Sequence, residues 1–289
     1  MSSPNLVIPI DGWTPVWITT IFSLVLWVLN RVRLLMVRQY GEHLRLLFHK
    51  VRRKLFIPGR FSHWLLLILA ALPCLVGLFW LGWMAVQITG GGEVTNIDRM
   101  VIRTFDTHLT TNQEHFYLFL TQAANKYTTL ILGLGVGLYL LASRKVRWLR
   151  LWVVTLIGNS LLVGAIKVVV QRPRPVFENP IIMEPNFSFP SGHSAGVLVT
   201  YGLLAYLVAK HYESRFPFLS TFTLVATFWL SGMVGVSRVA LGVHFPTDVA
   251  SGWLLGASWL FTCITLDEIL NRRPKEHRPM KQSSHSEME

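Results

Sequence analysis

Cysteine is scarce in this chain, and acidic residues are outnumbered by basic ones. Only two cysteines occur among 289 residues, Cys74 and Cys263, and both lie inside apolar stretches. We interpret them as packing residues rather than as a disulfide or a metal-binding pair. The 15 Asp and Glu residues face 27 Lys and Arg, and they form no spaced cluster that indicates a metal site. We therefore expect neither a metal nor another cofactor.

The start of the chain lacks the pattern of a secretory signal peptide. No basic residue precedes the first apolar run, and no small-residue cleavage site follows it. Apolar residues are abundant instead, because 52% of the chain is hydrophobic and 11 residues are tryptophan. This composition is too apolar for an ordinary soluble domain and indicates a helical protein that crosses a membrane several times.

Six apolar runs are long enough to cross a bilayer as helices, which takes about 20 residues. They cover residues 64–86, 118–142, 148–170, 193–209, 216–236 and 249–267, and a shorter seventh run covers 15–29. The sequence thus predicts an all-α membrane bundle with a six-helix core. In this division, residues 1–61 form an N-terminal extension, residues 62–270 form the core domain, and residues 271–289 form a polar, basic tail.

The N-terminal extension carries apolar residues at helical spacing among arginines and lysines. These apolar positions are Leu44, Leu47, Phe48, Val51 and Leu55. The pattern is typical of a basic amphipathic helix on an anionic membrane surface, and a docking element for a partner is the alternative. The run at 15–29 either crosses the membrane or lies on it.

Basic residues are distributed unevenly between the two sides of the predicted bundle. Twenty Lys and Arg fall in the segments 31–60, 143–150, 210–215 and 271–289. These segments lie on the same side of the membrane, because an even number of core runs separates each from the next. This excess predicts that those segments, including the C-terminal tail, are cytoplasmic. Six basic residues oppose the bias on the other side, namely Arg99, Arg103, Lys167, Arg172, Arg174 and Arg238. Four of the six belong to two short loops that also hold histidines or prolines, if Lys167 at the end of the preceding run is counted with its loop.

One of these loops carries a histidine and a carboxylate between two apolar runs. Pro246 suits the first turn of a helix, which places His244 just before that helix and Asp248 one turn inside it. A carboxylate can hold one imidazole nitrogen and leave the other as a nucleophile or base. The nearby Arg238 indicates an anionic substrate. The alternative is an interfacial loop whose polar side chains reach the lipid headgroups.

Two further helix ends on the same side carry groups suited to an anion. The third core run ends with Lys167, and Arg174 follows in a stretch stiffened by two prolines. Lysine and arginine at such a turn can converge on a phosphate, although basic residues at helix ends are common. The fourth run begins at Ser191 and Gly192, whose backbone N–H groups face outward as anion donors, and His193 follows.

These three elements together resemble the three-part signature of the type 2 phosphatidic acid phosphatase (PAP2) superfamily. The residues that match run in order, as Lys167, six residues and Arg174-Pro175, then Pro190-Ser191-Gly192-His193, then Ser237-Arg238, five residues, His244, three residues and Asp248. The match covers roughly residues 62–270 and omits no signature position. It implies a membrane phosphatase, since the apolar runs disfavour the soluble haloperoxidases of the family.

The resemblance also implies a role for each matched residue. His244 would attack phosphorus to form a phosphohistidine, Asp248 would orient it, and His193 would protonate the leaving oxygen. The phosphate oxygens would be held by the remaining matched residues, Lys167, Arg174, Ser191, Gly192 and Arg238. Arg172 lies outside the matched positions and is given no phosphate contact. Such a site stabilises the transferring phosphoryl group without a metal.

The predicted function is hydrolysis of a lipid phosphate or diphosphate at the outer leaflet. Candidate substrates are undecaprenyl diphosphate, phosphatidylglycerol phosphate, phosphatidic acid or a lipid A phosphate, in a plasma membrane of a bacterial host. Membrane lipids are the expected surroundings, and no nucleic-acid partner is expected. A phosphotransferase with the same phosphohistidine is the alternative chemistry. A transporter or scaffold that retains the fold is the non-enzymatic alternative, which the complete set of motif residues disfavours.

Overall fold

A computed structural model describes residues 60–177, 180–212 and 217–271, together with the single positions Thr20, Leu24 and Trp27. These residues form eight α-helices and one short 3-10 turn, Gln122–Ala124, and they contain no strand. The helices are α1 (Arg60–Thr89), α2 (Glu93–His108), α3 (Thr111–Thr121), α4 (Lys126–Ala142), α5 (Val146–Val170), α6 (Gly192–Tyr212), α7 (Pro217–Ala240) and α8 (Pro246–Leu270).

Five of these helices are long and apolar enough to cross a membrane. The segments are Ala71–Thr89 of α1, all of α5, all of α6, Phe218–Ala240 of α7 and all of α8. The all-helical membrane fold predicted from the sequence is thereby confirmed. Large apolar side chains such as Phe79, Leu161 and Phe222 remain exposed on these helices, as expected for surfaces that face lipid.

The predicted second span, 118–142, is divided in the structure. Helix α3 ends at Thr121, and α4 begins only at Lys126. Asn125 causes the new start, because its side-chain oxygen accepts a hydrogen bond from the Tyr127 N–H at 3.1 Å and so caps α4. The 17 residues of α4 extend about 26 Å, slightly less than the hydrocarbon core of about 30 Å.

The predictions for the N-terminal extension and the tail lie almost wholly outside the described residues. Of its described residues, Thr20 accepts a hydrogen bond at its hydroxyl from the Trp229 Nε1 on α7, at 3.2 Å. The division into an extension, a core domain and a tail stays a prediction.

Helices α6 and α8 form the centre of the bundle. Helix α6 packs against α5, α7 and α8, and α8 also packs against α1. The approach is close because a β-carbon at Gly252 would lie 2.5 Å from the Ser191 carbonyl oxygen, and one at Gly256 would lie 2.9 Å from the Ala195 carbonyl oxygen. Any side chain at these two positions would push the helices apart. The glycines therefore bring the first turns of α6 and α8 together.

Helices α2 and α3 cover the end of the bundle where α6 and α8 begin. Their apolar side chains pack against the last turns of α7 and the first of α8 in one buried cluster, formed by Ile102, Phe105, Tyr117, Leu120, Met233, Val239, Ala240 and Val249 with the loop residues Phe177, Leu241 and Val243. The two helices thus supply part of the core, and they contribute to the buried polar contacts described next.

Candidate active site

The ends of four helices place the predicted site residues in one region. Helix α5 ends at Val170, where Gln171 adopts a left-handed conformation with φ 50° and turns the chain. Helices α6 and α8 begin at Gly192 and Pro246, and α7 ends at Ala240. The segments 171–191 and 241–245 connect these ends. The predicted helix start at Pro246 and the predicted end of the third run are both confirmed.

His244 is held between a carboxylate and an arginine. The imidazole is 1% exposed, and its Nδ1 lies 3.5 Å from Oδ2 of Asp248 and 3.4 Å from the Ser188 hydroxyl. With Nδ1 facing a carboxylate, the lone pair belongs on Nε2. The Nη1 of Arg174 lies 3.4 Å from that Nε2. An anion bound by Arg174 would therefore lie next to this nitrogen.

Asp248 is fully buried and saturated with donors. Its Oδ2 accepts the Phe245 N–H at 2.8 Å and the Ser188 hydroxyl, and it also faces His244. Its Oδ1 accepts from Nη1 of Arg172 at 2.6 Å. The carboxylate thus caps α8 and orients the imidazole, and it has little freedom to rotate.

Arg174 and Arg238 converge on a single carboxylate, that of Glu184. Arg174 donates from Nη2 to Oε2 of Glu184 at 2.9 Å, and Arg238 donates from Nη2 to Oε1. Arg174 is fixed by the carbonyl oxygens of Asn186 and Val243, both at 2.6 Å, and Arg238 by the Thr121 hydroxyl at 2.9 Å. The two guanidinium groups are therefore oriented toward the two oxygens of one anion.

The other predicted phosphate ligands occupy the border of this region. Lys167 donates to the carbonyl oxygen of Phe187, and His193 is half-buried in the first turn of α6. Gly192 belongs to the same turn, and the N–H groups of Gly192 and His193 have no carbonyl partner inside the helix. The next two N–H groups, of Ser194 and Ala195, donate to the hydroxyl and the carbonyl oxygen of Ser191 at 3.4 and 3.1 Å. The expectation that Ser191 offers a free N–H is wrong, because this N–H donates to the Asp248 carbonyl oxygen at 2.9 Å. Its hydroxyl accepts from the Ser194 hydroxyl at 3.0 Å.

Burial and the neighbouring charges set the protonation of His244 and Glu184 in the connecting segments. Burial lowers the pKa of His244 to about 4, although the Asp248 carboxylate opposes this shift, and the charges of Arg238 and Arg174 lower it further. Burial raises the pKa of Glu184, but Arg238 and Arg174 outweigh this and hold its pKa below the usual range, with smaller contributions from His193 and His244. At neutral pH the imidazole is therefore uncharged, and Glu184 is an anion.

Sequence reasoning missed several residues that the fold brings to the site. Asp98, Glu184, Ser188 and Thr247 all contact predicted site residues or Arg172. The signature gives no signal for Asp98, which lies 74 positions before its partner Arg172. Glu184 and Ser188 lie just before the Pro190-Ser191-Gly192-His193 motif in the sequence. Their position therefore indicates that they are near the site, but it does not indicate which residues they contact.

Comparison with known proteins connects this site to a family. Residues 148–272 match the family model of the PAP2 superfamily. Over 147 residues the chain is 37% identical to phosphatidylglycerophosphatase B of Bacillus subtilis, a match that covers 50% of this chain and 68% of the relative. It is 25% identical over 212 residues to an undecaprenyl-diphosphatase of Sulfolobus acidocaldarius, covering 70% of this chain and 88% of the relative.

A solved structure has the same fold. It is the crystal structure of a transmembrane PAP2 type phosphatidylglycerolphosphate phosphatase from Bacillus subtilis, which superposes with a TM-score of 0.62 at 26% sequence identity. The superposition covers 71% of this chain and 98% of that one. The chain therefore belongs to the PAP2 superfamily. It is an integral membrane phosphatase of that family.

Proposed function

We propose that this protein hydrolyses a phosphomonoester or diphosphate of a membrane lipid through a phosphohistidine on His244. The observation that carries the proposal is the convergence of Arg174 and Arg238 on one carboxylate, with Arg174 also 3.4 Å from His244 Nε2. A phosphate offers the same charge-assisted contacts as a carboxylate, with a further oxygen for the remaining donors. Nε2 of His244 would then attack phosphorus.

An unmet donor on Arg238 supports a phosphate in this position. Within the described residues, its Nε–H is buried and has no hydrogen-bond partner. A buried guanidinium N–H without an acceptor costs about 1–3 kcal/mol. A tetrahedral anion that replaces the Glu184 carboxylate has enough oxygens to meet this donor as well as both Nη2 groups. Glu184 in turn holds the two arginines in place before substrate binds.

The reaction proceeds in two steps in this proposal. Nε2 of His244 forms a bond to phosphorus as the bond to the lipid oxygen breaks, and His193 gives its proton to that oxygen. His193 then takes a proton from water, whose oxygen attacks phosphorus as the bond between phosphorus and Nε2 of His244 breaks, which releases inorganic phosphate and the free imidazole. Arg174, Arg238, Lys167 and the first-turn N–H groups of α6 stabilise the charge on the non-bridging oxygens. Asp248 stabilises the imidazolium throughout.

The named relatives suggest which lipids to test first, namely phosphatidylglycerol phosphate and undecaprenyl diphosphate. The test is phosphate release by the purified, detergent-solubilised protein from these two lipids and from phosphatidic acid, with a metal chelator present. We expect multiple turnovers and free inorganic phosphate. No release from any lipid phosphate would contradict the proposal, and a phosphorylated acceptor in place of free phosphate would indicate a transferase.

The position of the Glu184 carboxylate between the two arginines predicts that anion affinity should rise when its charge is removed. Glu184→Gln keeps the shape of the side chain but removes the charge that competes with phosphate for Arg174 and Arg238. We expect orthovanadate, which adopts the five-coordinate shape of a transferring phosphoryl group, to inhibit this variant about tenfold more strongly, equivalent to about 1.4 kcal/mol. The measurement is the vanadate inhibition constant during hydrolysis of phosphatidic acid.

The matched control for this variant is Glu93→Gln, which removes an exposed carboxylate from the first turn of α2. Its inhibition constant should equal that of the wild type. Weaker vanadate inhibition of Glu184→Gln than of the wild type would show that Glu184 supports anion binding instead of competing with it.

The side of the membrane follows from the distribution of basic residues. We propose that the site faces the outside and that the C-terminus is cytoplasmic, because the segments 31–60, 143–150, 210–215 and 271–289 carry twenty Lys and Arg. A cysteine introduced at Pro180 should react with a membrane-impermeant thiol reagent in intact cells. Ser143→Cys, in the connection between α4 and α5, should react only after the membrane is broken. The reverse pattern would overturn this orientation.

A further inference from the structure

A buried ion-pair chain extends from the nucleophile to a helix outside the family signature. Asp98 on α2 is 1% exposed, and its Oδ2 accepts from Nη2 of Arg172 at 2.7 Å. Nη1 of Arg172, itself 5% exposed, donates to Oδ1 of Asp248 at 2.6 Å. The order Asp98, Arg172, Asp248, His244 therefore joins α2, the segment after α5, the start of α8 and the nucleophile.

Arg172 is fixed on all sides in this chain of contacts. Its guanidinium carbon lies 4.0 Å from the centre of the Phe245 ring, and Nη1 also donates to the Thr247 hydroxyl at 2.8 Å. Asp98 accepts the Thr247 N–H at 3.1 Å and the Thr247 hydroxyl at 2.5 Å. Two carboxylates and an aromatic ring thus determine where this cation lies. These contacts use its terminal nitrogens for protein carboxylates and a hydroxyl, which argues against a phosphate contact.

We propose that Arg172 and Asp98 are positioning residues for the phosphatase reaction. Arg172 holds Oδ1 of Asp248, so that Oδ2 stays directed at His244, and Asp98 holds Arg172 in turn. Neither residue touches the substrate in this arrangement. The inference rests on the proposed function of His244 as nucleophile, and it adds α2 to the parts of the chain on which that function depends.

The electrostatic consequence concerns the protonation of His244. Arg172 counters part of the Asp248 charge, so that the carboxylate orients the imidazole without holding it protonated. Without Arg172, the Asp248 charge would favour the imidazolium more strongly, against the opposing effects of burial, Arg238 and Arg174. The imidazolium has no lone pair on Nε2 for attack. Among the described residues, the charged or titratable groups that interact with His244 directly or through one another are Asp98 on α2, Lys167 on α5, Arg172, Arg174 and Glu184 in segment 171–191, His193 on α6, Arg238 on α7 and Asp248 on α8.

The test compares Asp98→Asn, Arg172→Lys and Arg172→Gln in the full-length protein with dioctanoyl phosphatidic acid as the substrate. We expect kcat to fall about tenfold in Asp98→Asn and about a hundredfold in Arg172→Gln, the range found when a supporting partner of a functional ligand is removed. Arg172→Lys keeps the charge but cannot reach both carboxylates with a planar fork, so its kcat should lie between that of the wild type and that of Arg172→Gln. KM should change by less than about threefold in all three.

The pH dependence separates positioning from a merely structural contribution. The acid limb of the kcat/KM profile reports the deprotonation of the free enzyme's base. In Arg172→Gln this limb should shift to higher pH by about one unit, because Arg172 no longer counters the Asp248 charge, which then stabilises the imidazolium more strongly. In Asp98→Asn it should not move up, because Arg172 keeps its full positive charge beside Asp248.

Matched controls are Asp106→Asn and Arg99→Gln, which remove a carboxylate and a cation elsewhere on α2. Both should keep the kcat of the wild type. Wild-type kcat in Asp98→Asn and Arg172→Gln would overturn the inference, as would a rise in KM at constant kcat, which would make Arg172 a phosphate ligand. A lower kcat in Arg172→Gln with no upward shift of the acid limb would also overturn it.

Folding and the parent proposal are checked separately. Vanadate inhibition within about threefold of the wild-type constant shows that a variant retains its phosphate site, and if Arg172→Gln does not fold, the kcat and KM of Asp98→Asn and Arg172→Lys decide the question. Turnover by His244→Ala would remove the proposed function itself. An inactive His244→Ala together with fully active Asp98→Asn and Arg172→Lys variants would remove only the positioning inference.

Discussion

Replacing His244 with alanine should abolish phosphate release and any phosphoenzyme. The reason is that Nε2 of His244 is the nitrogen beside Arg174, 3.4 Å from its Nη1, while Nδ1 is occupied by Asp248 and Ser188. Removal of a nucleophile leaves only the catalysis that binding and charge stabilisation supply. We therefore expect a loss of at least about 10⁴-fold in kcat, measured as phosphate release from phosphatidic acid.

The contrasting variant is His193→Ala, which removes the proposed general acid and keeps the nucleophile. With an alkyl lipid phosphate it should be almost inactive, because the leaving oxygen needs a proton. With p-nitrophenyl phosphate, whose leaving group departs as a stable anion, the first step should continue and the phosphoenzyme should accumulate. His244→Ala should form no phosphoenzyme from either substrate.

Vanadate inhibition, or direct vanadate binding where turnover is lost, checks that the two variants keep the rest of the site. Both retain Arg174, Arg238 and Glu184, so vanadate should still bind to each of them. Undiminished turnover by His244→Ala would show that phosphorus is attacked by another group or directly by water.

The second large effect should come from the two arginines. Arg174→Ala or Arg238→Ala should cost about 2–4 kcal/mol of transition-state stabilisation, comparable with the loss of an oxyanion-hole donor. This corresponds to a reduction of kcat/KM by about 30-fold to 1,000-fold. Lysine at either position keeps the charge but loses the fork, so Arg174→Lys and Arg238→Lys should recover only part of the activity. Vanadate should inhibit all four variants more weakly than the wild type.

Each arginine also pairs with Glu184, so the loss of activity has two potential causes, a missing phosphate contact and an unpaired Glu184 carboxylate. A second variant separates them. Removal of one arginine leaves a partly buried carboxylate with one partner, which could disturb the site by itself. In Arg174→Ala/Glu184→Gln this carboxylate is absent. We expect the double variant to remain as impaired as Arg174→Ala, because the missing interaction is with phosphate.

Arg99→Ala is the control for the two arginine variants, since this exposed side chain on α2 should contribute nothing to kcat/KM. Recovery of wild-type activity in the double variant would assign the arginine's role to Glu184 alone. Retention of wild-type turnover and vanadate sensitivity by both single alanine variants would place the phosphate site elsewhere in the protein.

Local sequence signals predicted the framework of the site. Pro246 marks the start of α8 because proline fits the first helical turn, and Gly192 marks the start of α6. The prolines after Gln171 similarly mark the end of α5. These boundaries place Lys167, His193, Arg238, His244 and Asp248 at the ends of helices, which is why the order of the motifs was enough to predict a common site.

Partners across long sequence distances could not be predicted in this way. Asp98 is one of four carboxylates in the segment 87–117 between the first two core runs, and nothing local distinguishes it from Asp106. Its pairing with Arg172 depends on how α2 packs over α7 and α8, which is a tertiary property. Glu184 was likewise indistinguishable from a surface residue until the fold placed Arg174 and Arg238 on either side of it.

Two polar residues indicate the interruption between α3 and α4 inside the predicted run 118–142, but the high hydropathy of the run favoured a continuous helix. Gln122 and Asn125 lie near the start of this apolar run, and the asparagine is a favourable helix-capping residue. The structure uses it to begin α4. As a result, the Thr121 hydroxyl at the end of α3 lies 2.9 Å from Nη1 of Arg238, a contact that a continuous span would not provide in the same way.

The covalent intermediate is the most direct test of the proposed mechanism. The protein should be mixed with p-nitrophenyl phosphate, quenched in base to preserve phosphohistidine, digested and mapped by mass spectrometry. We expect one phosphate on the peptide that contains His244, at higher occupancy in His193→Ala than in the wild type, and none in His244→Ala. Phosphate attached to a different residue, or no labelled peptide under single-turnover conditions that release p-nitrophenol, would contradict phosphohistidine formation at His244.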